Sequence, residues 1–235
     1  MDELIYNKTI ALVGPAKYLE KSRMGKKIDS YDIVVRLNRG IELVDKIPWD
    51  VGTRSDILYS CLIEKPANAG IIDLKQLEKW KVKQICCPPQ SDKTGISLET
   101  KYHYMVDTDK MNLINKRIPI RICDAKFHTT LAKKVESRPN TGYMAIFDIL
   151  RHNPKKLFIC GFSFYLDGFI SGVKEGIIGE QNLTEEQFGT KCFNSKRHNQ
   201  KNMWNYAKKT ILNHPKIELD SMLEKILNLN EFSRK

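Results

Sequence analysis

Short, continuous apolar runs alternate along the chain with amphipathic segments, and this alternation is its clearest structural pattern. The first run, residues 9–13, is rich in β-branched residues and stops at Gly14, as expected of a strand that leads into a turn. Because these runs are apolar at successive positions, their strands are expected to be buried on both faces. Similar runs predict five further strands, at residues 31–37, 56–59, 82–87, 118–123 and 157–160.

Amphipathic helices are predicted between and after these strands. Tyr143, Ile146, Phe147 and Leu150 follow the i, i+3, i+4, i+7 spacing of one helical face, which predicts a helix over residues 141–152. Buried strands that alternate with such helices predict an α/β fold: a Rossmann-like, mostly parallel sheet with helices on both faces, formed as a single domain by all 235 residues. Three more helices are predicted, at residues 74–80, 199–212 and 219–227.

The residues that directly follow the predicted strands are the first candidates for a functional site. Ligands of parallel α/β sheets bind beyond the carboxyl ends of the strands, so side chains and backbone groups there can reach a common crevice. The sequence places these residues at such ends: Gly14, Pro15, Ala16, Asn38, Ser60, Cys87, Pro88, Gly161 and Phe162.

The chain carries 39 Lys and Arg against 28 Asp and Glu, a formal net charge of +11. A basic surface attracts phosphates, nucleic acid or anionic membranes. No dense basic run and no basic stripe interleaved with aromatic residues occurs, which favours an ordinary solvated, Lys-rich surface. Nucleic acid is therefore a disfavoured partner that the sequence does not exclude.

The cysteines and the hydropathy pattern indicate a cytoplasmic protein. None of the six cysteines belongs to a C-x-x-C pair or has a histidine at zinc spacing, and Cys160 lies inside an apolar run. They are expected to be small buried side chains in a reducing compartment. Residues 1–8 have neither signal-peptide nor transit-peptide character, and no apolar stretch reaches 18 residues. Any membrane association is expected at the membrane surface.

Three segments carry a more specific pattern. In residues 10–40, an apolar strand is followed by a glycine turn, a spaced Gly25, Ile28-Asp29, and a second strand that ends at Asn38. In residues 138–162, a Thr-Gly pair precedes an apolar helix and a strand that ends in Gly-Phe. The third segment contains His198.

In this order and spacing, the segments resemble the long, short and very short sialylmotifs of the sialyltransferases, glycosyltransferase family 29. Residues 51–56 are similar to a Gly-Ser/Thr-Lys/Arg region of the family, and the resemblance extends over about residues 9–210. It implies an inverting, metal-independent enzyme that moves an acid sugar of the sialic acid or Kdo type. The donor would be a CMP-sugar, the acceptor a hydroxyl of a glycan or glycolipid, and no cofactor is implied.

The chain departs from the family pattern at several positions. Pro15 stands where the family has Asn, which removes one amide that contacts the donor. Ile10 and Leu150 occupy the positions of a disulfide found in luminal members, in agreement with a reduced protein. Met203 replaces a Glu of the very short motif. No histidine occurs between positions 161 and 197, so Tyr165 is the nearest substitute for a histidine of the third motif.

His198 is the candidate base for the acceptor hydroxyl. It precedes a predicted helix, whose N-terminus disfavours the imidazolium and keeps the ring neutral. Chemistry alone favours a plain surface histidine in a Lys- and Asn-rich loop; the resemblance favours the base.

The leaving phosphate needs hydrogen-bond donors. A predicted helix begins at Asn140, Thr141 and Gly142. Their backbone N–H groups form an anion site, or the segment is an ordinary N-cap, or both. Asn38 either offers an amide to phosphate or ribose, or is a turn residue before Gly40.

Asp107-Thr108-Asp109 is a D-x-D sequence after a possible strand at residues 102–106, and this pattern holds a divalent metal in many glycosyltransferases. Three-residue matches arise by chance in acidic loops, and a CMP-sugar with one phosphate needs less neutralisation. A metal bound by Asp107 and Asp109 is therefore the weaker alternative.

Two other functions stay open. One is transfer from another nucleotide-sugar, with nucleic acid as the acceptor; the other is a non-catalytic nucleotide- or glycan-binding module, which Met203 and the missing histidine favour. Residues 169–193 contain several glycines among charged residues, typical of a lid that closes over a donor and equally of a plain surface loop.

Overall fold

The computed structural model describes residues 1–65, 68–92, 95–97, 101–170 and 183–233. Over these residues, seven strands form one sheet in which every neighbouring pair is parallel. The strands are β1 (Thr9–Val13), β2 (Ile33–Leu37), β3 (Ile57–Tyr59), β4 (Gln84–Cys87), β5 (Ile120–Ile122), β6 (Lys156–Cys160) and β7 (Ile217–Leu219). Their order across the sheet is β5-β4-β3-β2-β1-β6-β7. The expected α/β fold with a parallel sheet is confirmed.

Helices connect the strands, and polar side chains begin most of the longer ones. Asp107, Asp124 and Asn199 each accept a hydrogen bond from a first-turn amide, which fixes where their helices start. Two 3-10 helices span Lys17–Leu19 and Asn38–Glu42. The α-helices of the described residues are α1 (Asp2–Ile5), α2 (Gly25–Asp29), α3 (Leu43–Lys46), α4 (Pro48–Val51), α5 (Leu74–Lys79), α6 (Thr108–Asn115), α7 (Ala125–Val135), α8 (Thr141–Arg151), α9 (Glu185–Phe193), α10 (Gln200–Thr210) and α11 (Ser221–Leu227).

The core lies on both faces of the sheet, because side chains alternate along each strand. In β1, Ile10 and Leu12 pack with residues of α7, α8, α10 and α11, whereas Ala11 and Val13 pack with residues of α2, α3 and α4 on the other face. A third cluster joins β3 and β4 to α5 and α6 near one edge. The expected cover of helices on both faces is therefore confirmed.

The chain reverses direction across the sheet between β1 and β6. It starts at β1 in the interior, moves outward through β2, β3 and β4 to β5, and then returns to β6 on the other side of β1. This arrangement is a topological switch point, and it opens a crevice beyond the carboxyl ends of β1 and β6. The elements that follow these two strands therefore position the candidate site.

Two sequence expectations differ from the structure, and the centre of a third falls outside the described residues. Residues 102–106 form turns rather than a strand, since the Val106 N–H donates to the His103 carbonyl. Leu219, expected in the last helix, ends β7, and that helix starts only after the capping Asp220. The centre of the predicted lid or loop, residues 171–182, lies outside the described residues.

None of the helices in the described part of the chain has both the length and the apolar character required to cross a bilayer.

Candidate functional site

A cleft of about 940 Å³ opens beyond the carboxyl ends of the central strands. Its volume lies at the large end of the usual range for ligand sites, which is enough for a nucleotide-sugar and part of a second substrate. Of the site residues predicted from the sequence, eleven line it: Pro15, Ala16, Asn38, Pro88, Asn140, Thr141, Gly142, Gly161, Phe162, Tyr165 and His198. Parts of the chain that are distant in sequence therefore share one cavity.

Two glycines bring the ends of β1 and β6 into direct backbone contact. Gly14 N–H donates to the Cys160 carbonyl at 2.8 Å, and Ala16 N–H donates to the Gly161 carbonyl at 3.0 Å. A Cβ on Gly14 would lie 2.2 Å from the Gly161 oxygen, and Gly161 itself has φ +74°. The absence of side chains at both positions is thus required for the switch point to form.

The Tyr18 hydroxyl holds the turn after β6. It accepts hydrogen bonds from the backbone N–H groups of Gly161 at 2.8 Å and Phe162 at 3.0 Å. It donates to Oδ2 of the buried Asp220 at 2.6 Å. The amides of Gly161 and Phe162 are therefore already engaged, so these two residues shape the cleft without offering backbone donors to a ligand. Nothing in the sequence distinguished Tyr18 or Asp220 beforehand.

The N-terminus of α8 points its first amides at the cleft. The Asn140 side chain accepts from Tyr143 N–H at 2.8 Å, which makes it an N-cap. The N–H groups of Thr141 and Gly142 lie in the first turn of α8, where no carbonyl of the same helix can accept a hydrogen bond from them. A Cβ on Gly142 would come within 2.9 Å of the side chains of Leu37 and Phe162, so glycine keeps this end of the helix open. The N-cap expected from the sequence is therefore present, and it leaves the amides of Thr141 and Gly142 available to an anion.

Asn38 enters the cleft from the end of β2 in a left-handed backbone conformation, with φ +44°. Asparagine is one of the few non-glycine residues that adopt this region readily. Its Oδ1 accepts from the Cys61 N–H at 3.0 Å, which ties the ends of β2 and β3 together. The amide Nδ2 keeps its hydrogens for another acceptor, so the turn role and the donor role both fit this residue.

His198 lies at the cleft directly before Asn199, the N-cap of α10. Its Nδ1 is 2.7 Å from the Arg138 carbonyl oxygen. Because a carbonyl only accepts, Nδ1 carries the proton and Nε2 of the neutral ring keeps its lone pair. Burial, and then the charges of Arg138 and Arg197, lower the pKa of His198 to about 4. The ring is therefore neutral at neutral pH and able to accept a proton.

Tyr165 lies in the same cleft, with φ +64° and its ring 5.2 Å from that of Phe169. Burial raises the pKa of the Tyr165 hydroxyl, so this group stays protonated as a hydrogen-bond donor. The candidate substitute for the missing histidine therefore lines the same cleft as His198.

Two predicted site residues lie beneath the cleft rather than in its lining. Gly14 packs against Gly161, as described above. Ser60 is fully buried: its N–H donates to the Cys86 carbonyl, and its Oγ accepts from Leu62 N–H at 3.1 Å. Both residues therefore act on the site through the backbone turns that they stabilise.

The D-x-D carboxylates lie outside the cleft lining. Asp107 caps α6 by accepting from Lys110 N–H at 3.0 Å, and Asp109 is exposed in the first helical turn. Over the described residues, no group of three or more His, Cys, Asp or Glu side chains is arranged to hold a metal ion. The capping geometry accounts for Asp107 without a metal.

Sequence reasoning missed the basic residues of the cleft. Arg138 and Arg197 both line it, and His103 does so from the turn at residues 102–106. Arg138 directly precedes the Pro139 of the second segment, and Arg197 directly precedes His198, so proximity to the motifs was the one available signal.

The chain is similar to known proteins in both sequence and structure. The model of the family described as "Glycosyltransferase family 29 (sialyltransferase)" matches residues 6–152. A search of curated protein sequences found no match. Among solved structures, a mammalian sialyltransferase in complex with Gal-beta-1-3GalNAc-ortho-nitrophenol is similar with a TM-score of 0.55 and 17% identity; the alignment covers 93% of this chain and 71% of that one.

Two bacterial-type structures are similar as well. The sialyltransferase CstII from Campylobacter jejuni, in complex with the substrate analogue CMP-3FNeuAc, has a TM-score of 0.50 and 13% identity, with 96% of this chain and 89% of that chain covered. A CST-II variant in complex with CMP has a TM-score of 0.53 and 13% identity, and the alignment covers 95% of this chain and 86% of that one. At these identities, the structural matches establish a shared fold.

Proposed function

The chain belongs to glycosyltransferase family 29, the sialyltransferases, and on that premise we propose that it transfers an acid sugar from a CMP-activated donor to a glycan hydroxyl. The sugar is of the sialic acid or Kdo type, and the acceptor is a glycan or glycolipid. The reaction proceeds with inversion and without a metal ion. The observation that carries the proposal is the presence of a proton-accepting His198 and an anion-binding helix N-terminus in one cleft.

The donor phosphate binds at the N-terminus of α8. The amides of Thr141 and Gly142 and the Nδ2 group of Asn38 supply hydrogen bonds to it, and the helix dipole favours its negative charge. The Tyr165 hydroxyl is a further donor for the leaving phosphate. These fixed dipoles stabilise the charge that develops on the phosphate as the glycosidic bond breaks.

His198 removes the proton of the acceptor hydroxyl through Nε2. The Arg138 carbonyl fixes the tautomer and orients the ring. With the base and the phosphate site both in the cleft, the acceptor oxygen attacks the anomeric carbon from the side opposite the departing CMP. Such a single displacement inverts the anomeric configuration.

A CMP donor needs less charge neutralisation than a diphosphate donor, because only one phosphate leaves. The N-terminus of α8 supplies this neutralisation, which supports a reaction that is independent of metal. The two CstII structures named above were obtained with CMP and with a CMP-sugar analogue, and this also supports the proposed donor class.

The non-catalytic alternative rests on Met203 and on the missing histidine. Met203 lies in α10 and is fully buried in the core, so this position is not part of the cleft lining. Its change from Glu therefore removes no group from the cleft lining, which favours the enzyme over the binding module. The described cysteines are free thiols, in keeping with the proposed cytoplasmic location.

Isothermal titration with CMP, UDP, GDP and NAD tests the donor class. We expect CMP to bind most tightly, because a single phosphate fits the N-terminus of α8. Transfer from a CMP-sugar should persist after treatment with EDTA. Tighter binding of UDP or GDP than of CMP, or loss of transfer on chelation, would show that the donor class is wrong.

A further inference from the structure

A group of basic side chains lies over the ends of β3 and β4, away from the switch point. The charge of Arg138 interacts with the thiols of Cys61, which follows β3, and Cys87, which ends β4. Arg138, Arg197 and His103 all line the cleft, and we refer to them as the basic group. Burial first, and then the charges of Arg138 and Arg197, lower the pKa of His103, in agreement with this proximity.

The basic group has no anionic partner within the part of the chain that the structure describes. The Nη1 atom of Arg138 is buried and lacks a hydrogen-bond partner there, and neither Arg138 nor Arg197 forms an ion pair with a described residue. Asp92 is the one acid among the described cleft residues, and Arg39 is paired with Glu42. A buried N–H donor without a partner is costly, and an anion bound beside it removes that cost.

The basic group lies on the acceptor side of the cleft. Adjacent strands are about 4.8 Å apart, so the ends of β3 and β4 are about 10–14 Å from the end of β1, at the switch point. The Arg138 carbonyl accepts the hydrogen bond of His198, which places the candidate base next to this group. An acceptor hydroxyl that reaches His198 therefore brings its neighbouring substituents against Arg138 and Arg197.

Building on the proposed function, we infer that the acceptor is itself anionic and carries a carboxylate or a phosphate close to the hydroxyl that receives the sugar. Arg197 binds that anion from the cleft mouth, and Arg138 binds it from the buried side. Both guanidinium groups offer planar, paired N–H donors, which suit a carboxylate and a phosphate equally well. The two like charges repel each other in the free enzyme, and the bound anion offsets this repulsion.

A competing explanation is that the basic group serves only the donor, which is also anionic. Arg197 separates the two explanations, because it is exposed and adjacent in sequence to the base. If it serves the acceptor, its loss should change the KM for the acceptor and leave the KM for the donor unchanged.

The test measures transfer from CMP-sialic acid and CMP-Kdo to lactose, to sialylated lactose and to phosphorylated lactose. CMP release without acceptor is recorded in parallel. We expect a KM at least about tenfold lower for one of the anionic acceptors than for lactose, as a charge-assisted hydrogen bond provides. The better of the two anionic acceptors identifies the group as carboxylate or phosphate.

Arg197→Gln should raise the KM for the preferred anionic acceptor about tenfold, with the KM for lactose and the rate of CMP release unchanged. Lys201→Gln, which alters an exposed cation outside the cleft lining, is the matched control and should change none of these values. CMP release combined with equal KM values for lactose and both anionic acceptors overturns this inference alone. Failure to bind CMP and to release it from either donor overturns the proposed function as well.

Discussion

His198→Gln is expected to lower the rate of sugar transfer by about 10²- to 10⁴-fold while CMP binding stays intact, because a positioned base contributes about that factor. Glutamine retains an N–H that can donate to the Arg138 carbonyl, but it cannot accept the proton of the acceptor hydroxyl. Initial rates and calorimetric titration with CMP, performed on the same preparations, separate the two effects.

The dependence of the transfer rate on pH gives a second test of the role of His198. Since the pKa of His198 is lowered to about 4, the base stays unprotonated as the pH falls and loses its function only near pH 4. An unperturbed histidine would lose this function near pH 6.5.

The control for His198→Gln is His214→Gln. His214 lies outside the cleft lining, so this variant should retain the full rate of sugar transfer. A variant at position 198 that transfers sugar at the normal rate would remove His198 from the mechanism.

Gly161→Ala is expected to destabilise the protein by more than about 3 kcal/mol, or to prevent folding. Its backbone has φ +74°, which costs a non-glycine residue about 1–2 kcal/mol. Its Cβ would also lie 2.3 Å from the Gly14 carbonyl oxygen, a backbone atom that cannot move aside without separating β1 from β6. For a chain of this size, the melting temperature should fall by roughly 6–12 °C or more.

Gly168→Ala is the matched control for this experiment. Gly168 has φ +84°, and nothing lies within 4 Å of the position its Cβ would take. Both substitutions share the conformational cost, so their difference isolates the steric contact at the switch point. We expect Gly168→Ala to lower the melting temperature by only about 2–8 °C, less than Gly161→Ala does. Equal shifts for both variants would mean that the close approach of Gly14 and Gly161 does not constrain the switch point.

The apolar patterns of the sequence were sufficient to predict most strands of the sheet. Strands β1 and β6 are fully apolar over at least four residues, and their predicted bounds agree with the structure to within one residue. β7 was missed because its three residues, Ile217–Leu219, are only partly buried, and Leu219 also fits the spacing of the following helix. Helices α6 and α7 begin at capping aspartates that the apolar spacing alone did not reveal.

The candidate site was predictable where it depends on strand ends and on motif order. Asn38, Thr141, Gly142 and His198 were selected on that basis, and all four line one cleft. Arg138, in contrast, looks like any basic residue of a chain with net charge +11. Its Nη1 atom is buried without a hydrogen-bond partner among the described residues, and only tertiary packing creates that feature.

The role of Tyr18 could not be predicted either. Its hydroxyl accepts from Gly161 and Phe162 and donates to Asp220, and these contacts join residues separated by more than 140 positions. An aromatic residue after a glycine turn carries no local sign of such a network. Its effect on function is nevertheless direct, since it occupies amides that would otherwise face the donor.

The central claim is that a nucleotide monophosphate binds between β1, β2 and the start of α8, with the base across the cleft. A crystal structure of the protein with CMP tests it most directly. We expect the phosphate within hydrogen-bond distance of the Thr141 and Gly142 amides and of Asn38 Nδ2, with His198 Nε2 facing the open side of the phosphate. CMP bound away from these groups, or His198 turned out of the cleft that holds it, would contradict the claim.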